Sequence, residues 1–423
     1  MRQVKYFLFG IFLSCSSFAF AQTYQGELEV LIFDDFSHNQ SKTIYQLHEG
    51  DEVYILNLPN TIDKANLLSG KTVIIEGQEV QGVKEKTIKV DSLTIPNKTS
   101  FSELPNENPA IYETRKVLAL LVNFTNMQAT TTVSTNTVDS ILYTSTRSTR
   151  ANFQRSSFNQ VNFIRDTNSD GKPDIYVINL NYAASGCNYN QWAIDARNAA
   201  TRAGINLSLY RHHMFVIPQN VSCNWGGLGH LGCGTTCSTW VRAYSPSQVY
   251  SQLIYTHELG HNLGMNHAAT DTNNDGVSDS EYGDAACIMG TGDFQYYKEV
   301  NAPHRDKMQW FASFPNRIAN VTAGSYTLYP LEAGVTGTGL LALKVKKNAT
   351  DTYYISYRKN IGPFGSGAAP YLDKISIHRT RTGDAHTYFI RTLSAGQTFA
   401  DLSNNVKVTA VVIGGNVAIV NIN

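Results

Sequence analysis

The sequence predicts a multidomain fold, with an α/β domain flanked by an N-terminal all-β domain and a C-terminal β-sandwich. Three observations predict it. The chain has 423 residues, more than one compact domain of ordinary size holds. Short segments of alternating apolar and polar residues fill both ends. Between them lie a nearly continuous apolar run, typical of a strand buried on both faces, and two helical patterns.

The extreme N-terminus reads as an export signal. Arg2 and Lys5 precede a mainly apolar stretch from Tyr6 to Phe20, and Ala19-Phe20-Ala21 offers small residues at the positions a signal peptidase reads. Residues 1–21 are therefore expected to be a signal peptide, which makes the protein secreted. The residues before Cys15 fit a lipidation signal poorly. No later stretch approaches the ~20 apolar residues of a membrane span.

Residues 22–96 read as short strands: 27–33, 52–56, 71–77 and 87–90. Residues 97–115 read as a linker, since Pro96 to Pro109 is rich in Pro, Asn, Ser and Glu and suits proteolytic nicking. The N-terminal β domain is either a propeptide or a permanent accessory domain. It contains no cysteine, so a thiol cannot block a metal from it; His38, Asp34 and Asp35 are alternatives among which nothing selects.

The α/β domain opens on the apolar run 116–124 and extends to 315. A helix is expected over 190–203 and a buried strand over 214–218. A second helix starts at Ser245-Pro246, with Ser245 as cap, Pro246 in the first turn and Gln248 completing a capping box, and runs to Gly264. After Pro315 the alternation returns at 326–329, 342–345, 353–357 and 406–422, giving a C-terminal β-sandwich over 316–423.

Lys+Arg and Asp+Glu both number 34, so no net basic field invites nucleic acid or an anionic membrane. Five cysteines follow the signal: Cys187, Cys223, Cys233, Cys237 and Cys287. In an oxidising compartment some pair and at least one is left over. Cys233 and Cys237 lie near His230, but a structural zinc site needs four ligands; disulfides from this pair to Cys223, Cys187 or Cys287 are the stronger expectation.

The chemistry sits on the second helix. His257 and His261 are four apart, which puts both imidazoles on one face, one turn apart. Neutral imidazole is a good zinc ligand. Glu258, beside the first histidine, is poorly placed to ligate with both but well placed to take a proton from a zinc-activated water. Gly264 ends the helix, and His267 then arrives as a third ligand. Three nitrogens leave a fourth position open, as a catalytic zinc requires. Two histidines at this spacing with a Glu also occur on ordinary surface helices; Gly264 and His267 at fixed distances make coincidence a poor account.

With these residues the sequence resembles the metzincin clan of zinc metalloproteases, whose signature is three histidines on this pattern followed by a methionine turn. Cys287-Ile288-Met289-Gly290 looks like that turn, so the resemblance gives Met289 a structural role as an apolar floor. Within the clan the chain is similar to the gametolysin family over roughly 116–315, with weaker likeness beyond. The likeness rests on residues 153–158 (FQRSSF), 223–229 (CNWGGLG), the histidine segment and 281–284 (EYGD), and later on 353–358 (YYISYR) and 375–379 (ISIHR). Gametolysin itself carries Gln at the first ligand position, so the match is to members with His there. The tyrosine two residues after the turn methionine in some metzincins is absent, and no Tyr is assigned to catalysis; Tyr296 or Tyr297 remain as substrate contacts. The resemblance implies an α/β metzincin-like protease domain in a secreted zinc-dependent endopeptidase, a metalloprotease hydrolysing peptide bonds of proteins with Glu258 as general base. The alternative is an exported surface- or glycan-binding protein with weak or lost protease activity. A hydrolase of non-peptide amides is a third reading that the resemblance disfavours.

Two loops share a pattern of oxygen side chains around a Gly turn: Asp166, Asn168, Asp170 and Asp174, then Asp271, Asn273, Asp275 and Asp279. Calcium suits such spacing, but neither loop has a Glu at position 12, Glu281 falling at position 11. A solvated Asx-rich turn explains either loop equally well. His212, His213, His230, His304, His378 and His386 read as packing or surface residues.

Overall fold

The computed structural model describes residues 21–423, except 65, 84, 97–112, 245–247, 291–294, 336 and 366–368. The signal-peptide segment 1–20, nearly all of the expected linker and the Ser245-Pro246 helix start lie outside the described residues.

The protein is mostly β with few helices. It opens with β1 (Gln22–Asp35), β2 (Gln40–Glu49), β3 (Glu52–Asn57), β4 (Thr72–Glu79) and β5 (Thr87–Thr94). Of these, β2 is too polar for alternation to reveal it. Next come β6 (Glu113–Asn123), α1 (Thr135–Asp139), α2 (Thr149–Ser156), β7 (Val161–Ile164), β8 (Ile175–Asn179), α3 (Tyr189–Arg202), β9 (His212–Ile217), β10 (Gly227–His230), β11 (Cys237–Arg242) and α4 (Gln248–Asn262). The remainder holds β12 (Ala268–Thr270), α5 (Ala302–Lys307), β13 (Ile318–Val321), β14 (Gly324–Leu328), β15 (Ala342–Lys346), β16 (Asp351–Arg358), β17 (Lys374–Arg381), β18 (Thr387–Leu393), β19 (Thr398–Asp401), β20 (Val406–Gly414) and β21 (Val417–Ile422).

These strands make three sheets. The largest runs β2-β3-β5-β4-β1-β10-β11-β9-β6-β7, with β8 also on β6. The apolar run of β6 is explained by burial on both faces. Val117, Ala119 and Leu121 pack toward α2 and α4, while Leu118, Leu120 and Val122 pack toward α3 and Trp240. Strand β9 alternates the same way, Met214 and Val216 against Phe215 and Ile217. A sheet covered by helices on both sides leaves no solvent face for polar residues.

The N-terminal strands are not a detached sheet. β1 pairs antiparallel with β10, matching Leu31 to His230 and Asp34 to Gly227, and so extends the large sheet. Their core is nonetheless nearly their own: apart from Leu231, every buried residue of the cluster around Leu28, Val30, Val73 and Ile88 lies within 22–96.

The six-stranded sheet β12-β18-β17-β16-β15-β13 and the four-stranded sheet β14-β21-β20-β19 share one apolar core, including Leu343, Ile355, Ile377, Val408 and Val420. β12, which directly follows His267, pairs with β18. The six-stranded sheet thus reaches into the histidine segment, across the expected boundary at 315.

The cysteine expectation needs correcting. Cys233 and Cys237 pair with each other, and Cys187 pairs with Cys223. The three residues between Cys233 and Cys237 turn the chain into β11 and leave their Cα atoms 5.0 Å apart, a separation a disulfide spans. Cys287 is free and buried, as the odd count requires.

Asp284 joins the parts. Its buried carboxylate faces His378 Nε2 of β17 at 2.9 Å and accepts hydrogen bonds from Asn301 Nδ2 and the Ala286 N–H. Burial alone would raise its pKa; His378 and those donors outweigh burial and lower it to about 2. Such a carboxylate stabilises the fold above its unfolded pKa of roughly 3.9, and that contribution, about 2 kcal/mol, is lost as pH falls through the folded value. Urea unfolding of Asp284→Asn and wild type should therefore show a stability gap that narrows by about 2 kcal/mol from pH 6 to pH 2. A constant gap contradicts this.

Candidate metal centre

Helix α4 is buried on all sides. Leu253, Ile254, Tyr255, Leu259 and Leu263 join the core, and His257, Glu258 and His261 have no exposed surface. Gly264 takes φ +101°, a conformation that favours glycine, and the chain reverses there with Met265 N–H donating to the Gly260 carbonyl. The reversal carries His267 back over the helix. The ring centroids of His257, His261 and His267 lie 4.7–5.3 Å apart.

Each imidazole is oriented from behind. Nδ1 of His257 faces the Ile288 carbonyl at 3.0 Å, that of His261 the Met265 carbonyl at 2.7 Å, and that of His267 a Glu281 carboxylate oxygen at 2.6 Å. All three partners are acceptors, so Nδ1 carries the proton and Nε2 offers a lone pair. The Nε2 atoms converge; those of His261 and His267 are 3.2 Å apart, and that of His257 has no hydrogen-bond partner among the described residues. Converging lone pairs in a buried interior call for a cation. These three residues, with Asp34, form a group whose ligand atoms could hold a metal ion.

Asp34 is the member that comes from the N-terminal strands. Its carboxylate lies 2.9 Å from His267 Nε2, 3.1 Å from His261 Nε2 and 3.4 Å from His257 Nε2, and it is fully buried. The Tyr282 hydroxyl donates to its other side at 2.8 Å. Without a metal, burial would depress His267, yet Asp34 and Glu281 outweigh it and raise its pKa to about 9; a metal ion would take the place of that Nε2 proton. Burial dominates at His261 and lowers it to about 4. Glu258 is also buried, and neither carboxylate oxygen has a hydrogen-bond partner among the described residues. Burial, then the charge of Asp34, drives its pKa well above the ordinary carboxylate range.

Neighbouring segments make room for this. A Cβ at Gly260 would meet Met289 Sδ at 2.4 Å, so glycine lets the methionine turn close against the helix. A Cβ at Gly227 would meet Glu258 Oε1 at 1.8 Å, so β10 passes directly over the carboxylate only as glycine. The 153–158 segment anchors the turn from outside: Arg155 pairs with Glu299 at 2.7 Å, and Ser156 Oγ accepts from the Val300 N–H. The Ile288 N–H donates in turn to the Glu299 carbonyl.

The structure brings together His257, Glu258, His261, His267 and Met289. It also selects among the N-terminal alternatives: Asp34 reaches the histidines, whereas Asp35 pairs with exposed His38 at 2.7 Å. Three contributors, Asp34, Glu281 and Tyr282, carry no separate signal in the histidine motif. One signal does distinguish Asp34. Leu28, Val30 and Ile32 alternate into the buried face of β1, and Asp34 continues that face, where a carboxylate needs a partner.

The two acidic loops lie apart from this centre. In the first, Asp166 accepts from the Asp170 and Gly171 N–H groups, Asn168 accepts from Asp170 N–H, and Asp174 accepts from Thr167 N–H and the Tyr210 hydroxyl. In the second, Asp271 accepts from Asp275 and Gly276 N–H groups and meets the Arg379 guanidinium at 2.8 Å. Asn273 and Asp279 accept from Asp275 and Thr272 N–H groups. Both loops close as Asx turns. His386 departs from the bland reading, since it reaches Glu281 at 3.2 Å behind His267. Tyr297 is buried beneath the Arg147 guanidinium.

A buried helix carrying two imidazoles and an unpaired carboxylate, closed by a third imidazole from beyond a glycine turn, defines a metallopeptidase-type centre. The chain belongs to the gametolysin peptidase M11 family, whose sequence profile matches residues 116–398. The match makes the protein a metallopeptidase and runs past 315 into the two C-terminal sheets. No curated protein matches the chain. Among solved structures, one similar chain is catalytic inactive OgpA from Akkermansia muciniphila in complex with an O-glycopeptide (glycodrosocin) substrate. It is 10% identical, with a TM-score of 0.29, over 67% of this chain and 92% of that one.

Glu281 should set the metal affinity through His267. Glu281→Ala is expected to weaken metal binding roughly 10–100-fold in competition titrations with a chromogenic chelator. Wild-type affinity in the variant would mean that the 2.6 Å contact does not orient the ligand.

Proposed function

We propose that the protein is a secreted zinc-dependent endopeptidase in which His257, His261 and His267 hold the metal and Glu258 is the general base. The observation that carries this reading is the convergence of three Nε2 lone pairs beside a buried, unpaired carboxylate. Three nitrogens and one further position suit zinc, and its borderline softness matches imidazole. Bound there, zinc would acidify a water and polarise the scissile carbonyl.

The chain's own residues supply the rest. Glu258 takes the proton of the attacking water and delivers it to the leaving amine. Ile288, Met265 and Glu281 hold the imidazoles in the tautomer that presents Nε2. Strand β10 passes above Glu258, and its edge on the β1 side, once free of β1, would suit an extended polypeptide paired as an added strand. Protein substrates follow from the family.

Secretion is supported by the N-terminal signal pattern and by two disulfides. No helix among the described residues is long and apolar enough to cross a membrane. The organisation we propose is a signal over 1–21, a β unit over 22–96, a linker over 97–115, a metzincin-like α/β peptidase unit over 116–315 and a C-terminal sandwich over 316–423.

Glu258→Ala tests the mechanism. After limited proteolysis within 97–112, wild type should cleave casein and be stopped by a chelator. The variant should keep its zinc, by metal analysis, and lose activity by about 10²–10⁴-fold. Two zinc-loaded proteins that both fail to cleave would favour a binding role instead.

A further inference from the structure

We propose that residues 22–96 hold the peptidase latent: β1 occupies the edge of β10 that substrate needs and delivers the Asp34 carboxylate to the position shared by the three histidines. The inference rests on the zinc reading above and adds its regulation.

Three independent features support it. The first is the carboxylate. Asp34 Oδ2 lies 3.1 Å from His261 Nε2 and 3.4 Å from His257 Nε2, while Oδ1 lies 2.9 Å from His267 Nε2. A metal held by these nitrogens would meet the anionic Asp34 carboxylate as a further ligand in place of the water that hydrolysis needs. The Tyr282 hydroxyl fixes that carboxylate from behind.

The second is the strand edge. β1 runs antiparallel to β10 in a register of four pairs from Leu31–His230 to Asp34–Gly227, and the Gly226 and Leu231 N–H groups donate to the Asp34 and Val30 carbonyls. An extended peptide cannot pair with the same edge while β1 is there.

The third is the turn between β1 and β2, which covers the centre. Phe36 packs edge-on against His257 and tilted against Tyr282, each with ring centroids 5.2 Å apart. Asn39 Oδ1 accepts from Ser280 Oγ and the Tyr282 N–H, and Ser41 Oγ donates to Glu281, the partner of His267. The cover therefore grips the residues that orient the site.

The unit is built to leave. Its own apolar core is internal to 22–96 except for Leu231, so it can leave as one body; from the peptidase clusters it withdraws buried Leu31 and Phe36, with part-buried Phe33 and Ile44. The segment has no cysteine, so the ligand it would present is the Asp34 carboxylate. Cleavage in the expected linker cuts the tether, and the effective concentration it maintains is lost.

The test uses the full chain with cobalt(II) in place of zinc and reads the visible spectrum. Wild type, Asp34→Asn and Asp34→Ala are titrated with acetohydroxamate, a small metal-directed ligand. Asp35→Asn, which removes the surface neighbour, is the control. The Asn variant keeps size and shape, and the Ala variant opens the position, so a folding defect in one does not decide the outcome. Both Asp34 variants should shift their spectra at acetohydroxamate concentrations at least tenfold lower than wild type and Asp35→Asn require. Equal concentrations for all four proteins would overturn latency while leaving the metal centre intact. No imidazole-bound cobalt spectrum in any protein would overturn the zinc reading, and the latency inference with it.

Discussion

Three imidazoles, each turned by an acceptor at Nδ1 so that Nε2 points inward, impose the constraint on which the surrounding structure depends. The Nδ1 contacts to Ile288, Met265 and Glu281 come from the methionine turn, the helix terminus and the segment after β12. Every one of those segments must therefore be held in place, and each is. Arg155, Ser156 and Glu299 brace the methionine turn, Gly264 sets the reversal after α4, and Asp284 ties the following loop to His378 of the six-stranded sheet. The C-terminal sheets thereby become part of the centre's scaffold. Strand β12 makes the connection literal, because it begins one residue after His267 and pairs with β18.

Crowding also explains the glycines. Helix α4 can approach the methionine turn only at Gly260, and β10 can cross Glu258 only at Gly227. A buried, crowded site strengthens every electrostatic interaction within it and makes unpaired charge costly. Asp34 and Glu258 are both carboxylates in that interior, and a single metal cation among the three imidazoles answers the charge that burial would otherwise forbid. One ion bound there would answer the orphaned His257 Nε2, the inward Asp34 and the buried Glu258 together.

Much of this is legible in the sequence, and the limits are physical. The spacing of His257, His261 and His267 with Gly264 encodes local geometry, so a helix and one turn suffice to foresee the cluster. Continuous apolar runs foresee β6 and β9 because their burial is two-sided. Contacts that join distant segments leave no local trace. Asp34 and His261 are 227 residues apart, and only the alternation of β1 hints that the carboxylate points inward. Glu281 reads as an incomplete calcium ligand until the fold turns it onto His267. Strand β2 is missed because its residues are polar and half exposed, leaving no period to detect. The Cys233–Cys237 pairing is decided by a tight turn into β11, which counting cysteines does not reveal.

The most direct test of the central claim is zinc K-edge X-ray absorption on the full-length chain. The account predicts one zinc per chain with three imidazole nitrogens and one oxygen at about 2.0–2.2 Å, and no sulfur. A substoichiometric zinc, a shell containing sulfur at about 2.3 Å, or fewer than three imidazoles would contradict it.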